Sequence, residues 1–235
     1  MKHWGWLGVG CLLLRLSSPA YGDEKPQLPS ANEIKALVDK LISPNRKPQV
    51  EEGASAARGL PADFDRKKQQ QVDNAISKLT QLGPRAFPFL IERWGDERYC
   101  LTGEDSISGA FVHKTVGQIC RAIIFDQLQP YGTWPEGYSP DLTRRPPRRP
   151  GYPGTLLGSQ ASARQWWEKN KDKTLYQMQL NALDWVIAEE AKRPRDFKNE
   201  EIKHLQRVRK ELLQSGKPLP VQAPGSYEGF RPVHD

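Results

Sequence analysis

Cysteine is scarce in this chain: its 235 residues hold three. Three thiols exclude a small disulfide-stapled scaffold and a four-thiolate zinc site. Long apolar runs are missing too. The longest candidate, Trp4 to Leu14, is closed by Arg15. It falls well short of the roughly 20 residues that cross a bilayer. Motifs for known chemistries are absent as well. The sequence has no G-x-S-x-G elbow, no P-loop, no dinucleotide glycine fingerprint and no C-x-x-C-H haem attachment motif. No segment alternates cleanly enough to be read as a strand, so the expected fold class is all-α. A wholly disordered chain is excluded, because 37% hydrophobic and 9% aromatic residues can support a core.

What is present begins with a targeting signal. Lys2 is a short basic start, and the apolar stretch follows it. Ala20 and Gly22 are small residues at −3 and −1 of a cut before Asp23. That is the pattern of a secretory signal peptide over residues 1–22, cleaved after Gly22. Lipoprotein processing at Cys11 fits less well, since Cys11 lies inside the apolar run. The cut leaves 235 − 22 = 213 residues in an oxidising compartment. It also removes Lys2 and Arg15, so the charge falls from +7 to +5. The retained pair, Cys100 and Cys120, then admits one disulfide, although Cys120 on an apolar seam is equally natural as a buried thiol.

Helical periodicity dominates the mature chain. Residues 23–64 hold one helix and a linker. Ser30 and Glu33 form an S-x-x-E capping box, and Ile34, Leu37, Val38 and Leu41 follow at helical spacing, predicting a helix over about 31–42. The main domain is expected over 65–215. A second helix runs from about Asp65 to Leu82, stopped by Gly83 and Pro84. A third starts near Ala86 and ends by Gly95, and a fourth spans about Lys114 to Leu128. Residues 97–113 between them read as a polar loop. Further helices carry Trp166 and Trp167, then Thr174, Gln177, Met178, Ala182, Trp185 and Val186, then Phe197 to Leu212. Trp94 and Trp185 are expected in the core, and His204 on the surface. Residues 216–235 read as a mobile tail rich in proline and glycine.

Residues 74–96 read N-A-I-S-K-L-T-Q-L-G-P-R-A-F-P-F-L-I-E-R-W-G-D. This stretch resembles a HEAT-type helical hairpin, with Ala75, Ile76, Leu79 and Leu82 on its first helix. Gly83 stands at the turn, and Ala86, Pro88, Leu90 and Ile91 mark the second helix. Val116 to Cys120, within 114–129, resembles the start of a further unit. The resemblance covers roughly a fifth of the chain, fewer than the three units a solenoid usually needs. It implies an irregular helical bundle or short HEAT-like solenoid of about six helices, and a scaffold that binds through a surface. The whole chain also resembles exported bacterial proteins with such helices, which implies no activity.

Two stretches carry the candidate sites. The first is a long insertion over 130–158, rich in proline and glycine. It holds Tyr131, Trp134 and Tyr138, then Arg144, Arg145, Pro146, Pro147, Arg148 and Arg149. Four arginines in six residues repel each other, and the prolines favour an extended polyproline II backbone. Such a loop suits an acidic protein or an anionic envelope polymer. A net charge of +5 outside the cytoplasm points away from nucleic acid. The three aromatics pin the loop to the body or stack on a sugar or peptide. The expected function is therefore an exported, non-enzymatic scaffold or interaction protein, with no cofactor.

The second stretch is the 96–113 loop, with Asp96, Glu97, Cys100, Glu104, Asp105, Ser106, Ser108 and His113. It supports the alternative, an envelope hydrolase or metal-dependent enzyme. His113 with two carboxylates suits a divalent ion, and Cys100 with His113 is a conceivable nucleophile pair. No tight ligand spacing accompanies His113, so no metal site is assigned. Asp96 reads better as a turn residue bonding backbone amides.

Overall fold

A computed structural model describes residues 28–49, 60, 63–104, 110–128, 157–192, 198–221 and 231–232. The chain is mostly helical, with one small sheet. Its elements are α1 (Ala31–Asp39), α2 (Arg66–Leu82), a 3-10 turn (Gly83–Ala86), α3 (Phe87–Glu92), β1 (Tyr99–Glu104), β2 (Phe111–Thr115), α4 (Val116–Leu128), α5 (Gln160–Asn170), α6 (Leu175–Ala191), α7 (Lys198–Ser215) and β3 (Arg231–Pro232). Residues 1–22, read above as a signal peptide cleaved after Gly22, lie outside the described residues, as do most of the linker and nearly all of the insertion.

Side-chain caps set the helix starts. Ser30 Oγ accepts from the Glu33 amide at 3.3 Å, and Glu33 Oε2 accepts from the Ser30 amide at 2.7 Å. The Ser30 amide and the Ser30 hydroxyl, which also donates to Glu33 Oε2 at 2.7 Å, hold the Glu33 carboxyl below its usual range. Thr174 and Gln177 form the same reciprocal pair ahead of α6. Asp65 caps α2 by accepting from the Lys68 amide. Gly83, at φ 63°, ends α2 where a side chain would be strained.

α4 is the central helix. It packs on α2 and α3 on one side, on α6, and on both strands of the hairpin before it. Val116, Ile119, Cys120, Ile123, Ile124 and Leu128 are all buried. Burying each large aliphatic side chain contributes about 2 kcal/mol. The core continues through Val72, Ile76 and Leu79 of α2, Phe87, Leu90 and Ile91 of α3, and Met178, Leu183 and Val186 of α6. Phe87 meets both Trp166 and Trp167, at 6.2 and 5.9 Å between ring centroids. Adjacency divides those two indoles: Trp166 is buried and Trp167 is half-buried.

Several expectations need correction. Within the expected polar loop of residues 97–113, Tyr99–Glu104 and the start of Phe111–Thr115 are strands. β1 and β2 form an antiparallel hairpin, and β3 adds to the other edge of β1, giving the order β2-β1-β3. The fold is mostly helical, as the periodicity predicts, and the small sheet is what the sequence reading missed. Alternation failed as a guide because the register slips at Cys100, between the pairs Tyr99–Thr115 and Leu101–Lys114. One extra residue there turns Cys100 and Leu101 both inward. α4 starts at Val116, two residues later than expected, because Lys114 and Thr115 belong to β2. α3 is only six residues long and packs on α4 and α5. Trp94 is buried as expected, but Trp185 is only partly buried. His204 is buried at 9% exposure, not on the surface, and its Nδ1 meets Arg207 Nη2 at 2.9 Å. Cys100 and Cys120 are separate thiols, so the admitted bridge is not formed here.

Candidate functional site

At the corner where α3 leads into β1 and β2 leads into α4, Asp96 sits with Arg93 and Arg98. Backbone proximity builds it. The Gly117 amide donates to the Asp96 carbonyl at 2.8 Å, and the Val116 amide donates to the Arg98 carbonyl at 2.9 Å. A Cβ on Gly117 would stand 2.6 Å from the Trp94 carbonyl oxygen and 3.0 Å from the Asp96 nitrogen. Only glycine lets α4 come this close to the end of α3.

Asp96 is the charged hub of this corner. Its side chain is 10% exposed and accepts from the Arg98 amide at 3.1 Å and from Arg98 Nε at 2.9 Å. Arg93 reaches it at 3.7 Å and also pairs with Asp39 of α1. The Arg98 hydrogen bond, chiefly, holds the Asp96 carboxyl below its usual range, against the opposing effect of burial. Asp96 is thus a turn residue bonding a backbone amide, as its position suggested. Glu97 beside it is exposed.

Further along the hairpin, three polar side chains form a chain of hydrogen bonds. Tyr99 Oη and Thr102 Oγ1 are 2.8 Å apart, and Thr102 Oγ1 and His113 Nδ1 are 2.8 Å apart. The register sets Thr102 opposite His113, so the cross-strand pair is a direct product of the pleat. Thr102 and His113 are buried, and burial pushes the Tyr99 hydroxyl up to about 12. Tyr99 and Thr102 were not singled out from sequence. An aromatic and a β-branched residue with Phe111, Val112 and Thr115 nearby was the available signal for paired strands.

The conceivable nucleophile pair of Cys100 and His113 is not assembled. His113 Nδ1 is engaged by Thr102, while Cys100 occupies the bulge and faces the core. Burial pushes the Cys100 thiol well above its ordinary value, and the neighbouring Cys120 adds to this. Burial likewise raises Cys120 to about 12. A nucleophilic thiol needs the opposite shift. Among the described residues, no group of three His, Cys, Asp or Glu side chains is placed to hold a metal ion. Asp105, Ser106 and Ser108 lie outside the described residues, as does the side chain of Glu104.

Tyr131, Trp134, Tyr138, Arg144, Arg145, Arg148 and Arg149 also lie outside the described residues. What is described is the base of their insertion. α4 delivers the chain at Leu128, 1% exposed, and Leu157 receives it, also 1% exposed. Behind Leu157, a reciprocal Ser159–Ser162 cap starts α5. Gln160 Nε2 donates to the carbonyls of Ile91 and Glu92, at 2.9 and 3.2 Å. Arg164 pairs with Glu92 at 3.0 Å. Both stems are therefore fixed to α3 and the core. Elsewhere, α1 and α2 border an open groove of about 250 Å³ lined by Leu37, Lys40, Gln71, Asn74, Ala75 and Lys78.

No helix among the described residues is long and apolar enough to cross a membrane. Comparison with known proteins returns no matching family model, no matching curated protein and no matching solved structure.

Proposed function

We propose that this chain is an exported, non-enzymatic scaffold or interaction protein. It contacts an acidic protein or an anionic envelope polymer through the 130–158 insertion. The HEAT-like character of residues 74–96 belongs to this proposal, as a rigid helical support rather than a binding repeat. The observation that carries it is the pair of buried stems, Leu128 and Leu157. Both ends of the insertion start from a fixed base, and long loops on a rigid scaffold are a common place for function. Its composition supplies the contact: Arg144, Arg145, Arg148 and Arg149 concentrate most of the mature excess of charge. Arginine forks match carboxylate and phosphate oxygens in pairs.

The test separates a concentrated site from net charge. One variant replaces the four arginines with glutamine. A control replaces four exposed lysines, Lys35, Lys67, Lys169 and Lys210, and so removes the same charge. Retention on an anionic polymer matrix is measured against salt. The arginine variant should elute at clearly lower salt than the control. Equal elution would mean that the insertion is no site.

A further inference from the structure

The sheet has a feature that the insertion does not explain. β3, two residues from the C-terminal segment, closes the outer edge of β1, with Gly103 opposite Pro232 and Glu104 opposite Arg231. An exposed strand edge is a template for any extended chain. The other end of β1 is covered differently: the Ser43 amide donates to the Tyr99 carbonyl at 3.0 Å. Among the described residues, the Gly103–Glu104 end alone takes a strand on this edge. Glycine within a strand marks a place where another backbone comes close.

Chemistry fixes how β3 holds on. Pro232 has no N–H, so the reciprocal pair of hydrogen bonds falls to Glu104 and Arg231. Proline also stops the next strand from adding outside β3. The cap is therefore terminated on its far side, and among the described residues Arg231 alone offers this edge both a donor and an acceptor. Such a short pairing is weak by itself. Its nearest described anchor upstream is Leu219, whose amide donates to Gln179 Oε1 at 2.7 Å and whose carbonyl accepts from Gln179 Nε2 at 3.3 Å. Residues 222–230 join the two points.

We infer that the outer edge of β1 is a strand-addition site, filled here by the chain's own C-terminal strand and open to the same segment of a second copy. The occupant is already specified by this chain: an extended segment carrying Arg-Pro in the β3 register. Exchange between copies needs only the release of a two-residue strand and forms no new kind of contact. Main-chain hydrogen bonds to Glu104 supply the attachment, as in other strand-addition modes.

The experiment uses the full chain and a labelled peptide of residues 226–235. Arg231→Pro removes the one backbone donor of the Arg231–Pro232 pair and leaves β1 untouched. If the edge is filled in cis nine times in ten, the peptide binds the parent about tenfold more weakly than it binds R231P. That tenfold difference, with an unchanged helical circular dichroism spectrum, is the expected result. No binding to R231P, or equal binding to both proteins, overturns the inference. Should R231P lose its helical signal, the parent alone decides by amide exchange. The Arg231 amide should exchange at least tenfold more slowly in the protein than in the free peptide; equal rates overturn the inference.

Discussion

The helical body and the hairpin corner are held together by different means. In the body, α4 lies among α2, α3 and α6 through Ile119, Ile123, Ile124 and Leu128, with apolar partners on each side. That packing is tolerant, since aliphatic side chains repack when one changes shape. In the corner, α4 meets the end of α3 backbone to backbone, and the hairpin is tied by Asp96, Thr102 and His113. Polar and backbone contacts have directional requirements and no slack. The corner should therefore respond more sharply than the body to small chemical changes.

The largest effect is expected at Gly117. Adding one methyl group there meets main-chain atoms at 2.6 to 3.1 Å, which cannot rotate aside. Gly117→Ala should destabilise the protein by about 3 kcal/mol in denaturant unfolding. Gly95 stands in the same corner, and a methyl group on it would meet nothing within 4 Å. Gly95→Ala should stay within about 0.5 kcal/mol of the parent. Similar losses for both would mean that the close approach is not what constrains the corner.

Next is Thr102, the middle of the polar chain. Thr102→Val keeps the shape and removes the hydroxyl that bonds both Tyr99 and His113. Losing a buried partner leaves desolvated polar atoms behind, so the expected loss is about 2 kcal/mol. Thr102→Ser should restore most of it. If serine and valine cost the same, the methyl group and not the hydroxyl matters, and the contrast with the body fails there.

The same contrast explains what the sequence made legible. Helices were readable because α1, α2, α4 and α6 each repeat apolar residues at helical spacing, and α1 and α6 start at capping boxes. The hairpin was hidden by the single bulged residue Cys100, which breaks alternation in a strand of six. Glycines at 103 and 109 also made the stretch look like a loop. One overlooked signal marked its end: Thr115 and Gln118 form a reciprocal cap, at 2.9 and 3.2 Å, that places the start of α4 after Thr115. His204 was misplaced because one polar residue on a helix does not reveal which neighbour covers it. The Gly117 contact had no local signal, since closeness to Trp94 arises only when the hairpin folds back. In the candidate sites, the residue types in 96–113 were visible, but their partners depended on a register that the bulge had shifted.

The smallest effect, and the most diagnostic of charge, is expected at Asp96. Its carboxylate bonds Arg98 and faces Arg93, and its folded-state pKa lies below the usual carboxylate value of 3.8. A depressed carboxyl contributes stability that is fully present above its unfolded pKa and is lost as pH falls through its folded pKa. Arg98 is half-exposed, so solvent screens the pair and the contribution should be only about 1 kcal/mol. Asp96→Asn keeps an oxygen for the Arg98 amide and removes the charge. Parent and variant should therefore differ by a constant amount from about pH 5 to 8, and the two curves should converge as pH falls below 3.8. A gap that persists unchanged at about pH 2 would assign the loss to amide geometry. The corner would then be held by hydrogen-bond shape alone, and the charge on Asp96 would be incidental to it.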